Sequence, residues 1–194
     1  MSLPRSKIEY LTHSWNFMVG CRHDSTVCPY AEDCWAKTIA GRFHRSFEPH
    51  LISERLLAPL TLRKPSRIGV CFTGDLFGDW VDPQQLIDPE DYTLQDIVTS
   101  VVRARPEHRF LFLTKASWNY QKRGMFPDNA WLGVSICNEM MLSKAWRFLR
   151  KAQGGHRWLS FEPLLAWNSR SMETTRALLE TAEIDWVVIG GLSG

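Results

Sequence analysis

The alternation of short apolar runs with helix-like segments constrains the fold of this chain more than any other feature of its sequence. Strands that alternate with helices form parallel sheets, so the pattern predicts an α/β fold. Six strand–helix units, the last without its helix, fit a partial (β/α)6 barrel of the TIM type better than a complete eight-stranded barrel. No repeat, low-complexity tract or linker divides the chain, so one domain is expected over residues 1–194.

The predicted elements can be placed by their residue patterns. Apolar runs bounded by polar turns predict strands at 14–19, 67–73, 109–113, 131–136, 157–161 and 185–189. Helical patterns cover 34–47, 50–60, 93–104, 139–151 and 171–182, with Ser171 as a candidate N-cap of the last one.

Polar or reactive residues stand where the predicted strands end. In a sheet of parallel strands these ends meet at one edge, which carries the active site in barrels and in open sheets alike. We therefore expect one functional face. Its candidate residues are the cysteines after the first strand, Asp75 after the second, Lys115 after the third, Ser135 in the fourth, Glu162 after the fifth and the glycines after the sixth.

The loop after the first strand carries Cys21, Cys28 and Cys34, three of the five cysteines in the chain. Thiolates are soft ligands that select iron–sulfur clusters, zinc or copper(I). Three of them without a fourth nearby suggest a metal centre with one open coordination position. The alternative is that they are small buried hydrophobes, but the charged residues around them disfavour that interpretation.

Composition adds limits on the partners and the compartment. The net charge of +2 is too small to argue by itself for a nucleic-acid or membrane partner. No apolar run approaches the roughly 18 residues of a membrane span, and the N-terminal segment lacks the apolar core of a signal peptide. An odd number of cysteines without a secretion signal indicates a reducing compartment, so a soluble, cytoplasmic protein is expected.

Several short motifs occur in a fixed order along nearly the whole chain. Together they resemble a phage-associated three-cysteine family of unknown function that is related to radical S-adenosylmethionine (SAM) enzymes. The motifs are Trp15-Asn16, Gly20-Cys21, Cys34-Trp35-Ala36, Arg42-Phe43, TGDLFGD (73–79), LTK (113–115), WLGVS (131–135), FEPLL (161–165) and IDWVVIGG (184–191).

The resemblance implies a partial barrel whose first loop holds a [4Fe–4S] cluster through Cys21, Cys28 and Cys34. A reduced cluster would cleave SAM to a 5′-deoxyadenosyl radical, which acts on an unknown substrate, and a separate reductant would supply the electron. The end of the second strand would bind the methionine amino group, Lys115 a carboxylate of SAM or a substrate anion, and the fourth and fifth strands the ribose. The implied cofactor-binding residues are Thr73, Gly74, Asp75, Lys115, Ser135 and Glu162. For Asp75, a purely structural role in a turn or helix cap is an equal alternative.

The chain departs from the resembling proteins in three ways. Its cysteine spacing is C-x6-C-x5-C, whereas radical-SAM enzymes usually have C-x3-C-x2-C. Leu192 stands where the resembling family has the glutamate of a GGESG motif, so we expect the function of that position to be weakened or altered. Members of that family also continue well past this point, which predicts that the C-terminal part of the barrel is missing here.

Two other functions remain open. One is a zinc site of the three cysteines with His23 or a carboxylate, although zinc favours closer cysteine pairs, and His23 fits an exposed loop better. The other is a nucleic-acid-binding module with stacking tryptophans. Trp131, Trp158 and Trp186 are predicted at strand starts, away from the candidate site, so this alternative is weak. Cys71 and Cys137 lie in or beside apolar runs and are predicted to be dispensable for metal binding.

Overall fold

The computed structural model describes residues 2–87, 91–167 and 172–191. The strands of this part of the chain are β1 (His13–Trp15), β2 (Met18–Val19), β3 (His50–Leu51), β4 (Arg67–Val70), β5 (Arg109–Thr114), β6 (Met125–Ser135), β7 (Gln153–Phe161) and β8 (Trp186–Ile189). Six of them form an all-parallel sheet in the order β1-β4-β5-β6-β7-β8, which curls into a half-barrel. The predicted α/β fold and partial barrel are therefore confirmed.

Four α-helices accompany the sheet: α1 (Trp35–Arg42), α2 (Leu94–Arg103), α3 (Glu139–Leu149) and α4 (Met172–Thr181). α2 starts at a capping box, in which Thr93 and Asp96 each bind the other's backbone N–H, and it buries the predicted apolar stripe. The Asn138 side chain caps α3 by accepting a hydrogen bond from Met141 N. Within the described ranges, no helix has the length and apolar character that crossing a membrane requires.

The two faces of the sheet pack against different partners. On β5, Phe110 and Phe112 belong to the large outer core, which includes Val98 of α2 and Leu142 of α3. The alternate residue Leu111 belongs instead to a smaller inner cluster with Leu11 and Trp158. Burial on both faces explains why the β5 sequence is apolar almost throughout. The N-terminal segment thus closes the inside of the half-barrel on the side of this cluster.

The predicted first strand is divided in two. Residues 13–15 pair with β4, but Met18 and Val19 pair antiparallel with β3, in a separate two-stranded sheet. The chain leaves the main sheet because the Arg55 guanidinium binds the Asn16 carbonyl and Ile52 N binds the Phe17 carbonyl. These contacts join residues far apart in the sequence, so the apolar pattern alone gave no sign of them.

The helical pattern predicted at 34–47 and 50–60 is only partly correct. α1 ends at Arg42, where His44 takes a positive φ of 51°. The predicted second segment is wrong, because it forms β3 followed by two short 3-10 turns, Ser53–Arg55 and Ala58–Thr61. Pro59 stands at the start of the second turn, where a proline lacks the N–H that a continuing helix would need.

β6 and β7 begin earlier than predicted, at Met125 and Gln153. Their register shifts between Phe126 and Trp131, which marks an irregularity in the pairing. Gly154 (φ +75°) lies at this place, and a Cβ there would stand 2.1 Å from the Phe126 carbonyl oxygen. Only glycine fits such a contact. The extensions of β6 and β7 were not predicted because they contain residue types that are rare inside strands: proline, aspartate and asparagine at 127–129 and glycine at 154–155.

The tryptophans of the strands are used in packing. Trp158 is fully buried, donates Nε1–H to the Phe112 carbonyl at 3.0 Å, and stacks on Trp186 with ring centroids 5.2 Å apart. Trp131 stacks on His156 at 4.5 Å. Trp158 and Trp131 lie within β7 and β6 rather than at strand starts, so that part of the prediction is wrong. None of the three rings stands free as a stacking platform.

His108 is a buried histidine directly before β5. Its ring nitrogens make no hydrogen bond of normal geometry to the described residues, and Glu107 Oε1 lies 3.9 Å from Nε2. Burial lowers the pKa of His108 below its ordinary value of 6.5; Arg105 and His13 act in the same direction, and Glu107 and the backbone of Leu62 oppose them. The folded protein therefore holds His108 neutral.

Lowering the pH from about 7.5 to about 5.5 is expected to reduce the free energy of unfolding, because the unfolded chain binds a proton at His108 that the folded state excludes. The stabilisation is present above the unfolded pKa and is lost below it. His108→Phe removes the titrating group and should flatten this dependence in urea unfolding at the two pH values. Burial also lowers the pKa of His13, but His13 is present in both the variant and the wild type, so it does not account for a difference between their pH dependences. Identical pH dependence in the variant and the wild type would contradict this assignment.

Candidate functional site

A cavity of about 480 Å³ opens at the carboxyl ends of the parallel strands. Ligand sites commonly have this size and lie at this edge of such sheets. The predicted site residues do meet on one face, because eight of the nine line this one cavity: Cys21, Cys28, Cys34, Gly74, Asp75, Lys115, Ser135 and Glu162.

Thr73 is the predicted site residue that does not line the cavity. Its hydroxyl oxygen is buried without a hydrogen-bond partner among the described residues. Its carbonyl oxygen accepts a hydrogen bond from Gly20 N at 3.0 Å. In this structure Thr73 therefore acts through its backbone, as the support of the cysteine loop.

The cysteine loop is fixed at its start by two glycines in close contact. Gly20 pairs with Gly74 in a parallel bridge, and Cys21 N donates to the Phe47 carbonyl at 3.1 Å. Gly20 has φ +84°, and a Cβ there would lie 2.5 Å from the Glu48 carbonyl oxygen. A Cβ on Gly74 would lie 2.7 Å from the Gly20 carbonyl oxygen. Side chains at either position would push Cys21 away from the end of β4.

Gly20→Ala is expected to lower the free energy of unfolding by about 2 kcal/mol, since it combines a left-handed backbone with a backbone clash. Gly41→Ala is the matched control, because a Cβ at Gly41 would meet nothing within 4 Å in α1. That change should stabilise the protein by about 0.5–1 kcal/mol. Urea unfolding of both variants measures the difference. Equal effects would show that close glycine packing does not hold the loop.

The three loop thiols are partly withdrawn from water. Burial raises the pKa of Cys21 to about 12 and raises that of Cys28, although the nearby Lys115 ammonium opposes both shifts. These two cysteines are therefore thiols at neutral pH, and a bound metal would have to displace their protons. Within the described ranges, no three His, Cys, Asp or Glu side chains are already arranged to hold a metal ion.

Asp75 is a buried carboxylate whose oxygens are fully engaged. Phe77 N donates to Oδ1 at 2.9 Å, Lys115 N donates to Oδ2 at 3.1 Å, and the Thr114 hydroxyl lies 2.8 Å from both oxygens. His23 Nε2 lies 2.8 Å from Oδ2. A carboxylate has about four acceptor positions, and protein donors fill them here. The contacts favour the structural alternative for Asp75, which ties the cysteine loop to the ends of β4 and β5.

His23 is not an exposed loop residue, so that expectation is wrong. Its side chain is 6% exposed, because the ring lies between Asp75 and Trp80, whose ring centroid is 4.8 Å away. A histidine in a metal site usually donates its second N–H to a carboxylate, as Nε2 can here. Nδ1 of His23 therefore remains a candidate metal ligand.

Lys115 is held by a residue of the cysteine loop. Its ammonium donates to the Tyr30 hydroxyl at 2.7 Å and lies 4.6 Å from the centre of that ring. Burial by itself would lower the pKa of Lys115, but Tyr30 and Cys28 raise it above its ordinary value. The Lys115 side chain, held by the Tyr30 hydroxyl, faces the cavity beside the cysteines.

Two hydroxyl groups hold the carboxylate of Glu162 in place. Tyr10 donates to its Oε2 at 3.1 Å, and the Ser160 hydroxyl donates to the same oxygen at 3.0 Å. Gly190 leaves room for the other oxygen, because a Cβ there would lie 2.7 Å from Oε1. Glu162 thus presents one carboxylate oxygen that Tyr10 and Ser160 do not occupy.

Sequence reasoning missed Tyr10, Tyr30 and Ser160, all of which line the cavity. Ser160 could have been found, because it precedes Glu162 by two residues and strand alternation puts both on one face. No local signal marks the two tyrosines, since their contacts to Glu162 and Lys115 span 152 and 85 residues.

The other two cysteines do not line the cavity. Cys71 is fully buried, receives a hydrogen bond from Met18 N at 3.4 Å, and has a pKa that burial raises to about 12. Cys137 is also buried, and burial raises its pKa to about 11, with Lys115 and Cys28 among the neighbours that shift it. Leu192 and Ser171, for which the sequence made predictions, lie outside the described residues.

Comparison with known proteins gives a match to a family model described as "Protein of unknown function (DUF5131)", over residues 5–194. No curated protein and no solved structure matches the chain. The prediction that the motifs belong to a family of unknown function is confirmed. Because the match spans almost all of the sequence, this chain belongs to the DUF5131 family of proteins of unknown function.

Proposed function

We propose that this chain is a radical-SAM-type iron–sulfur enzyme acting on a substrate that enters the mouth of the half-barrel. The observation that carries the proposal is the position of Cys21, Cys28 and Cys34, which line one cavity together at the carboxyl ends of a parallel sheet. The phage association that the motifs imply stays a prediction.

The donor set fits an iron–sulfur cluster in its chemistry. Three soft thiols, and no fourth cysteine among the cavity-lining residues, leave one position for another ligand. The Lys115 ammonium beside them would offset the negative charge of three thiolates, as its opposing effect on the pKa of Cys21 and Cys28 indicates. The thiols are not held in ligand geometry beforehand, so cluster binding would also have to order the loop.

A reduced cluster would supply the electron that cleaves the sulfonium C–S bond of bound SAM, which is chemistry of the cofactor rather than of the protein. The residues of this chain would bind and orient SAM. Lys115 offers a cation for its carboxylate group. The carboxylate of Glu162 and the Ser135 hydroxyl, which both line the cavity, offer polar groups for its ribose.

The structure of the cavity floor supports the same assignment. Tyr10, which donates a hydrogen bond to Glu162, packs edge-on against Trp158 and Trp186, with ring centroids 6.0 and 5.3 Å away. Tyr10 lines the cavity and joins it to the apolar inner cluster, so the cavity wall on this side is largely apolar. Excluding water protects a reactive radical from side reactions.

Anaerobic reconstitution with ferrous iron and sulfide tests the proposal. We expect a brown protein with broad visible absorbance, several iron atoms per chain, and a change in that spectrum when SAM is added. A colourless protein that binds zinc and takes up no iron under these conditions would overturn the iron–sulfur assignment.

Zinc binding is the second candidate, and one observation favours it. Asp75 holds His23 through Nε2, which leaves Nδ1 available as a fourth ligand, and His23 lines the same cavity as the three thiols. His23→Ala separates the two functions, because it should weaken a zinc site of three cysteines and one histidine. The same change should leave the iron content of a three-cysteine cluster unchanged.

A further inference from the structure

Helix α1 presents an apolar and aromatic face to solvent at the mouth of the cavity. Trp35 is 42% exposed, Ile39 39% and Phe43, at the C-cap, 65%, whereas Ala36 is the buried residue of the helix. These three residues and the exposed Arg42 stand at i, i+4, i+8 and i+7, so they share one side of the helix. We call Trp35, Ile39, Arg42 and Phe43 the α1 stripe.

The α1 stripe leads into the candidate site. Trp35 and Ile39 line the cavity together with Cys28 and Cys34, whereas Phe43 lies two turns further along the helix. A ligand bound along the stripe would therefore have one end at the cysteine loop and the other outside the cavity.

Helix α1 and the residues directly after it carry unpaired positive charge, whereas Glu32 and Asp33 precede the helix. Residues 34–47 contain Lys37, Arg42, His44 and Arg45 but no aspartate or glutamate. The Arg45 guanidinium lies 5.5 Å from the centre of the Phe43 ring. Within the described part of the chain, Lys37, Arg42 and Arg45 form no ion pair. The α1 surface thus combines exposed aromatic rings with cations that have no anionic partner there.

We propose that the α1 stripe binds single-stranded nucleic acid and delivers one nucleotide to the cavity. Bases stack on exposed aromatic rings while arginines bind the phosphates, and this combination is typical of single-strand binding surfaces. Trp35 stacks the nucleotide at the mouth, Phe43 with Arg45 stacks a base further along the strand, and Arg42, next to Phe43, binds a phosphate of the segment that joins them. The inference rests on the proposed function for the statement that this nucleotide is the substrate.

Single-stranded nucleic acid fits these observations better than the other polyanions. A duplex hides its base faces, so it could use the cations but not Trp35 or Phe43. Anionic lipid would also bind cations and apolar side chains, but interfacial helices bury a continuous apolar face in the membrane. The apolar part of the α1 stripe is only about two turns long and is bordered by Arg42, and Trp35 and Ile39 belong to the wall of a cavity.

Fluorescence anisotropy of a dye-labelled, mixed-sequence oligonucleotide at low salt tests the proposal, with single strands of RNA and DNA and a duplex of the same length. Wild-type protein should bind the single strand more tightly than the duplex. Trp35→Ala and Phe43→Ala should each weaken single-strand binding about fivefold or more. Arg42→Ala should also reduce the slope of log affinity against log salt concentration by about 0.7, the effect of one lost phosphate contact.

Lys37→Ala is the matched control, because it removes the same charge from the same helix but from the side that does not carry the stripe. It should leave the salt slope unchanged, and Tyr92→Ala, at an exposed tyrosine away from the cavity lining, should leave the affinity unchanged. Circular dichroism shows whether each surface variant is folded.

Three outcomes would overturn the proposal: no binding of any oligonucleotide, equal affinity in the Trp35→Ala and wild-type proteins, or binding to phosphatidylserine vesicles without binding to oligonucleotides. The binding assay requires neither iron nor SAM, so it is independent of the cofactor. If the protein took up no iron but bound single strands through Trp35, the proposed enzyme function would be refuted. The proposed nucleic-acid-binding surface would still stand.

Discussion

Asp75→Ala is expected to lower the free energy of unfolding by about 3–5 kcal/mol, a large part of the stability of a domain of this size. The carboxylate is 4% exposed and accepts from Phe77 N, the Thr114 hydroxyl and Lys115 N, and it contacts His23. Alanine leaves these groups buried without their acceptor, and each unsatisfied group costs about 1–3 kcal/mol. Urea unfolding followed by circular dichroism measures the loss.

Asp75→Asn separates the hydrogen bonds from the charge. The amide keeps one acceptor oxygen but puts an NH2 group where a second acceptor is needed, so we expect a smaller loss of about 1–3 kcal/mol. Asp128→Ala, at an exposed position of β6, is the matched control and should change stability by less than about 0.5 kcal/mol. If Asp75→Ala were as mild as Asp128→Ala, Asp75 would not be the tie between the cysteine loop and the sheet.

Alanine at Cys21, Cys28 or Cys34 is expected to abolish most of the iron bound after anaerobic reconstitution. A cluster held by three thiolates loses a required ligand in each case, so the three cysteines should act as a unit. Iron and sulfide analysis, with visible absorbance, measures the effect. Circular dichroism distinguishes the loss of a ligand from unfolding.

Cys71→Ala and Cys137→Ala are the controls within the same chain. Both residues are buried, and neither lines the cavity, so the changes should cost packing stability of about 1 kcal/mol and leave iron binding intact. Cys137 is the stricter control, because it is near enough to Cys28 for that thiol to affect its pKa. Full iron content in Cys28→Ala would contradict the three-cysteine site. Loss of iron only in Cys137→Ala would show that the iron is bound at Cys137 instead.

The architecture was predictable where burial alone decides it. β5 is apolar on both faces because the outer core and the inner cluster each take alternate residues, and that pattern is visible in the sequence. The pairing of β2 with β3, and the early start of β6 and β7 at glycines with positive φ, depend on backbone contacts between distant residues. Hydrophobic periodicity carries no information about such contacts.

The position of the candidate site was predictable for a different reason. Parallel strands bring their carboxyl ends together whatever their side chains are, so Lys115 and Glu162 were expected near the cysteine loop, as the structure has them. Their partners were not predictable, because Tyr30 and Tyr10 lie 85 and 152 residues away from them in the sequence. The burial of His23 against Asp75 was not predictable for the same reason, because it depends on two loops, distant in sequence, that meet at the end of the sheet.

The measurement that tests the central claim most directly is the formation of 5′-deoxyadenosine. Wild-type protein, reconstituted anaerobically and given SAM with a chemical reductant, is analysed by liquid chromatography beside a Cys28→Ala sample treated identically. We predict that 5′-deoxyadenosine and methionine accumulate with time in the wild-type sample and stay at background in the variant. A wild-type protein that carries a cluster and forms neither product, or forms them at the same rate as Cys28→Ala, would contradict the radical-SAM function.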